Sequence, residues 1–157
     1  MSRQACFTVA SVSAGIAWLA SAALAVGAAG HERPQEAKTT TSRTVWDGVY
    51  TEEQAKRGRT QYIEACASCH AEDLRGQSTA PSLVEESFSF LWGDMTVGDL
   101  FDQIRKLMPS NRPNSLSSQS YRDIVAFILQ SNKFPPGKEE LDADLDALRQ
   151  IRLGHGR

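Results

Sequence analysis

Apolar residues are distributed in two different ways along this chain. The first stretch, residues 7–29, is continuous, rich in Ala, Val and Ser, and ends in Ala25-Val26-Gly27-Ala28-Ala29. Arg3 is the only charged side chain ahead of it. A basic start, an apolar middle and a small-residue end predict a secretory signal over 1–29, cut after Gly27 or Ala29. The stretch is also long enough to span a bilayer, so an uncleaved anchor is the competing reading. Residues 30–48 are polar, rich in Thr, Glu and Lys, and predict a flexible leader.

From residue 49 the apolar positions recur with helical spacing. Thr51-x-x-Gln54 has the form of a capping box, and Ala55, Gly58, Tyr62 and Ala65 share one face, predicting a helix over 52–65. Residues 71–94 carry Gly76, Pro81 and Gly93 as breakers and predict a loop. Thr96-x-x-Asp99 opens a second helix with Leu100, Phe101, Ile104 and Leu107 on one side, and Pro109 stops it. Ser117 caps a third over 118–131, where Tyr121, Ile124, Val125, Ile128 and Leu129 form a continuous stripe. Pro135-Pro136-Gly137 closes this body, which spans 49–136. In the tail, 137–157, Leu141, Leu145, Leu148 and Ile151 share a helical face, with acidic residues first and basic residues last. That predicts an amphipathic helix docked on the body or on a partner, or else a solvated tail.

The fold class is therefore all-α, with three core helices and an extra C-terminal helix. A length of 157 residues leaves room for one modest domain plus appendages. A net charge of −2 with no basic stripe argues against a nucleic-acid partner. Membrane contact is expected only if the N-terminal segment is kept.

The chemistry concentrates in Cys66-Ala67-Ser68-Cys69-His70. C-x-x-C-H is an attachment sequence for c-type haem: two thiols at this spacing reach the two vinyl groups of one porphyrin, and the histidine offers an axial nitrogen. Two rivals share the pattern, a zinc site and a dithiol redox pair. Of the three cysteines, Cys6 leaves with a cleaved signal, so no thiol remains for a structural disulfide. Zinc would need four protein ligands, and beyond the motif only His31 and His155 are available among Cys and His. An electron-transfer iron needs a second axial ligand, and a thioether raises the potential. Met108, beside Pro109 where a helix ends, is the leading candidate, and Met95 is next. A five-coordinate or bis-histidine haem that binds gas or peroxide is the alternative if Met108 stays off the iron.

These features together resemble the class I, mono-haem cytochrome c family over about 49–133. The resemblance rests on Gly58-x-x-x-Tyr62, on Asp123-Ile124-Val125-Ala126-Phe127, on Met108-Pro109 followed by Leu116-Ser117, and on Ala80-Pro81-Ser82-Leu83. It implies a fold in which the first and last helices cross at Gly58 and Tyr62 against Ile124 and Phe127. It implies one covalent haem c on Cys66 and Cys69, with iron ligands His70 and Met108. It also implies that the Pro81 carbonyl accepts the histidine ring N–H, and that Trp92 hydrogen-bonds a haem propionate. Ala80 stands where the family has glycine, which puts that turn in question. The sequence is most similar to small cytochromes beside or fused to quinoprotein alcohol dehydrogenases. The expected function is periplasmic one-electron transfer from a dehydrogenase toward a terminal oxidase or other acceptor, without enzymatic activity of its own. A subunit relaying electrons inside a fixed complex is the remaining alternative.

Overall fold

The computed structural model describes residues 43–78 and 80–154. The expected signal segment, most of the expected leader, His31 and His155 lie outside the described residues. In chain order the elements are β1 (Arg43–Thr44), a 3-10 turn (Val45–Asp47), α1 (Glu52–Ala65), α2 (Ala67–His70), α3 (Glu85–Trp92), α4 (Val97–Leu107), α5 (Ser118–Ser131), α6 (Leu145–Arg149) and β2 (Ile151–Arg152). The described chain is all-α apart from β1 and β2, which pair in parallel, Arg43 with Ile151 and Thr44 with Arg152. Among the described residues no helix is long and apolar enough to cross a membrane.

Helices α1, α4 and α5 begin where side-chain oxygens satisfy orphan amides. Thr51 Oγ1 accepts the Gln54 N–H at 3.1 Å, Thr96 Oγ1 accepts the Asp99 N–H at 3.1 Å, and Ser117 Oγ accepts the Ser120 N–H at 3.0 Å. Each such cap contributes about 1 kcal/mol. At Thr96 the box is reciprocal, since the Asp99 carboxylate accepts the Thr96 N–H at 3.0 Å. At Thr51 it is only half made. Gln54 is fully buried, and its Oε1 accepts the Leu141 N–H from the tail at 2.9 Å instead.

The core forms where α1 crosses α5. Gly58 makes the crossing possible: a Cβ at this position would sit 1.8 Å from the Asp123 carbonyl oxygen. One turn further along, the Tyr62 and Phe127 rings meet with centroids 5.3 Å apart. Ile124, Val125, Ile128 and Leu129 are buried on α5, and Leu100 and Phe101 pack from α4. Beside the glycine, Arg57 donates to both carboxylate oxygens of buried Asp123 at 3.1 Å and to Glu140 at 2.8 Å. That joins α1, α5 and the tail in one polar clasp.

Three features differ from the sequence expectation. Residues 85–92, expected in a loop, form α3, because Phe88 and Trp92 at i and i+4 both turn into the core. Its N-cap, Val84, offers no side-chain oxygen, so the usual start signal is missing. Residues 43–48, expected in the leader, belong to the packed body: Val45 is fully buried and the strand at Arg43 is closed by the tail. The tail helix is present but covers only Leu145–Arg149, and the chain then becomes a strand. Leu141, Leu148, Ile151 and Leu153 are all buried against the body, so the tail is docked rather than solvated. It is spread over irregular structure because it crosses α1, α4 and β1 in turn. Gly137 lies so close to Gly48 that a Cβ on it would fall 1.9 Å from the Gly48 oxygen.

Two outcomes follow from this packing. Gly58→Ala must push α1 off the α5 backbone and should cost about 3 kcal/mol, read as a lower urea midpoint with unchanged slope. Tyr50, fully buried and donating to the Phe134 carbonyl at 2.6 Å, has its phenol pushed up to about 12 by burial and then by Glu52. Its folded value lies above the unfolded one, so this stabilisation is complete below the unfolded value and is lost as pH rises through about 12. Tyr50→Phe should flatten that alkaline loss in a pH series of denaturation curves.

Candidate haem-attachment site

Helix α1 runs directly into the attachment motif. Cys66 ends the helix, donating its N–H to the Tyr62 carbonyl at 2.8 Å. The single turn of α2 then folds back, with the N–H groups of Cys69 and His70 donating to the Cys66 carbonyl at 3.1 and 3.0 Å. This puts Cys66 and Cys69 one turn apart, at the spacing where helical side chains are neighbours. Both thiols are free, Cys66 half-buried and Cys69 exposed. The Cys66 thiol is pushed up to about 11, by burial first and then by Cys69. It is therefore protonated at neutral pH, unlike an activated redox cysteine.

His70 is buried, and its Nδ1 lies 3.0 Å from the Pro81 carbonyl oxygen. A carbonyl can only accept, so Nδ1 carries the proton and the lone pair of the neutral ring is on Nε2. The donor set suits a c-type haem: two unpaired thiols on one turn, next to an imidazole whose tautomer leaves Nε2 as a ligand. Among the described residues no cluster of three or more His, Cys, Asp and Glu side chains is placed to hold a metal ion.

The loop that presents Pro81 is held from within. Gly76 N–H donates to the His70 carbonyl at 2.9 Å, and Leu83 N–H to the Leu74 carbonyl at 2.8 Å. An ion pair between Arg75 and Glu85 spans its outside. The Ala80 departure is harmless, because Ala80 is not at positive φ and its N–H still closes the turn onto the Gln77 carbonyl at 2.8 Å. The pyrrolidine ring of Pro81 is exposed, so its contribution is the carbonyl. Tyr62 was legible as a packing residue, but its polar role was not. Its hydroxyl donates to the Ala71 carbonyl at 2.8 Å, with the His70 carbonyl at 3.3 Å. That bond steadies Ala71 at φ 61, a conformation unfavourable for a residue with a Cβ.

Met108 is half-buried and ends α4, its N–H bonded to the Ile104 carbonyl at 2.8 Å. Its own carbonyl accepts the Tyr121 hydroxyl at 2.7 Å. Met95 is 40% exposed, and its carbonyl accepts the Leu153 N–H from the tail at 2.9 Å. Trp92 is buried at the end of α3. The structure brings Cys66, Cys69, His70 and Pro81 into one unit, whereas no hydrogen bond among the described residues ties Met108 or Trp92 to it.

The sequence matches, over residues 53–128, the family model described as cytochrome c oxidase, cbb3-type, subunit III. Over those residues, just under half of the chain, it carries a c-type cytochrome domain, the mark of an electron-transfer protein with covalently bound haem c. It is also similar to a chain in the crystal structure of the sulfane dehydrogenase SoxCD from Paracoccus pantotrophus, with 21% identity, a TM-score of 0.46, and coverage of 82% of this chain and 68% of that one. No curated protein matches the sequence.

Removing the Tyr62 hydroxyl leaves the Ala71 carbonyl short of its donor in a strained turn. Tyr62→Phe should therefore destabilise the protein by about 1.5 kcal/mol, measured by denaturant titration.

Proposed function

We propose that the chain is an exported, periplasmic one-electron carrier holding one haem c through thioether bonds to Cys66 and Cys69, with His70 and Met108 as the axial ligands. The observation that carries this reading is the His70 ring, whose Nδ1 is committed to the Pro81 carbonyl beside two free thiols on the same turn. When bound, haem c supplies an iron that takes up and releases one electron at a time. The protein's part is to hold ligands and exclude water. Pro81 keeps the proton at Nδ1, which strengthens Nε2 as a donor. Met108 offers a soft thioether, which favours the reduced state. Buried Tyr62, Leu100, Ile124 and Phe127, with half-buried Leu83 and Ile104, form the apolar wall. Trp92 supplies an indole N–H suited to a propionate.

No substrate-transforming residue is needed for this role, so the chain is read as a carrier rather than an enzyme. Its partners are redox proteins: a dehydrogenase as donor, with a quinoprotein alcohol dehydrogenase the favoured candidate, and a terminal oxidase or another acceptor downstream. Two observations support the partner reading. The Tyr121-x-Asp123-Ile124-Val125-Ala126-Phe127 helix followed by Asn132-Lys133-Phe134-Pro135 resembles the dehydrogenase-associated cytochromes, and the matched family model is described as an oxidase subunit. Leu107, next to Met108, is 53% exposed and gives a small apolar contact of the kind transient redox encounters use.

The test is a sample matured in a haem-attaching host. After denaturation and acid-acetone washing the red colour should stay with the polypeptide, and Cys66→Ala with Cys69→Ala together should release it. The oxidised protein should show the weak near-infrared methionine–iron band. Met108→Ala should abolish that band and Met95→Ala should keep it. A band that survives Met108→Ala overturns the ligand assignment, and colour lost from the wild-type chain overturns the haem reading.

A further inference from the structure

The segment that carries Met108 has few hydrogen bonds to the body beyond α4, for one expected to keep a metal ligand in place. Residues 110–115 are all exposed, and only Pro109 is buried. One backbone bond folds the segment on itself, Arg112 N–H to the Pro109 carbonyl at 2.8 Å, and two tie it to α4, Met108 N–H to the Ile104 carbonyl at 2.8 Å and Asn114 N–H to the Arg105 carbonyl at 3.0 Å. Every side-chain hydrogen bond that residues 108–116 make among the described residues goes to one group, the Tyr121 hydroxyl. It donates to the Met108 carbonyl at 2.7 Å and accepts the Leu116 N–H at 3.4 Å. It therefore reaches both ends of the segment. The Tyr121 ring is buried on α5, the helix that Gly58 and Arg57 lock against α1.

We propose that Tyr121 is the positioning residue for the distal ligand: its hydroxyl pins the Met108 backbone to α5 and so holds the thioether against displacement. This rests on Met108 being the ligand. A thioether is a weak ligand for ferric iron, and a stronger donor displaces it only if the segment swings away. Swinging it away breaks the Tyr121 bond, so that bond adds to the resistance. Tyr50 is a second buried tyrosine with a bonded hydroxyl, but its partner is the Phe134 carbonyl, away from both ligand segments.

Imidazole binding to the oxidised, haem-loaded protein reads this directly, through loss of the near-infrared band. Tyr121→Phe keeps the ring and removes the hydroxyl. It should raise imidazole affinity about tenfold, the equivalent of one net hydrogen bond. The Leu116 amide should exchange with deuterium faster in the same variant. Tyr50→Phe, which also removes one buried hydroxyl, should lower stability yet leave imidazole affinity within about twofold of wild type. Unchanged affinity in Tyr121→Phe overturns the proposal, as does an equal gain in Tyr50→Phe, which would mean general loosening. Met108→Ala separates the two levels. If its near-infrared band survives, the ligand assignment has failed, whereas a band lost there with a silent Tyr121→Phe rejects Tyr121 alone.

Discussion

The contact on which this structure turns is backbone against backbone, at Gly58 of α1 and Asp123 of α5. No side chain larger than hydrogen fits there. The crossing fixes both helices at short range, and each extends toward a segment that carries a candidate ligand. Helix α1 delivers the chain into the turn bearing Cys66, Cys69 and His70. Helix α5 carries Tyr121, whose hydroxyl holds the Met108 carbonyl. The proximal and distal candidates, far apart in sequence, thus hang from one crossing.

That crossing includes a buried carboxylate. Asp123 is 1% exposed, which is unfavourable unless its oxygens are satisfied. They are: Arg57 approaches from α1 as a fork, and Gln119 donates at 2.7 Å. Geometry of this kind constrains the angle at which the helices meet more than a purely apolar contact does. The tail uses the same group. Glu140 shares Arg57, and the Leu141 amide is taken up by buried Gln54. The tail then crosses α4, where Gly98 admits Arg149, and ends paired with β1. It behaves as a strap that covers apolar surface the helices leave open.

After the motif and around Met108 the chain has little regular structure, and side chains do the work a helix or sheet would otherwise do. Backbone carbonyls of irregular segments are paired with donors from the rigid helices or from the motif histidine. Tyr62 serves the Ala71 carbonyl, the His70 ring serves Pro81, and Tyr121 serves Met108. Such bonds combine satisfaction of a polar group with precise placement, which is what a metal-ligand segment needs.

Much of this was legible in the sequence because it depends on near neighbours. The bounds of α1, α4 and α5 follow from caps and stops within four residues, and their buried faces follow from helical spacing. Cys66, Cys69 and His70 form a contiguous motif, so their closeness is guaranteed by the covalent chain. Gly58 and Asp123 stood out only by resemblance, since nothing local to either demands the other. The misreadings have the opposite character. Helix α3 begins at a valine with no cap and is held by Phe88 and Trp92 reaching the core. Residues 43–48 look like linker until β2 arrives to pair with them. The tail's apolar residues are spaced for a helix but bury themselves one by one against different elements. Gln54 was expected to close a cap and instead receives an amide 87 residues away. Sequence by itself determined which residues are chemically fit to hold a haem and which segments become helices, because those properties are local. Only the tertiary structure decided which hydroxyl holds which carbonyl and where the ends of the chain lie, because those contacts exist only after the helices have crossed.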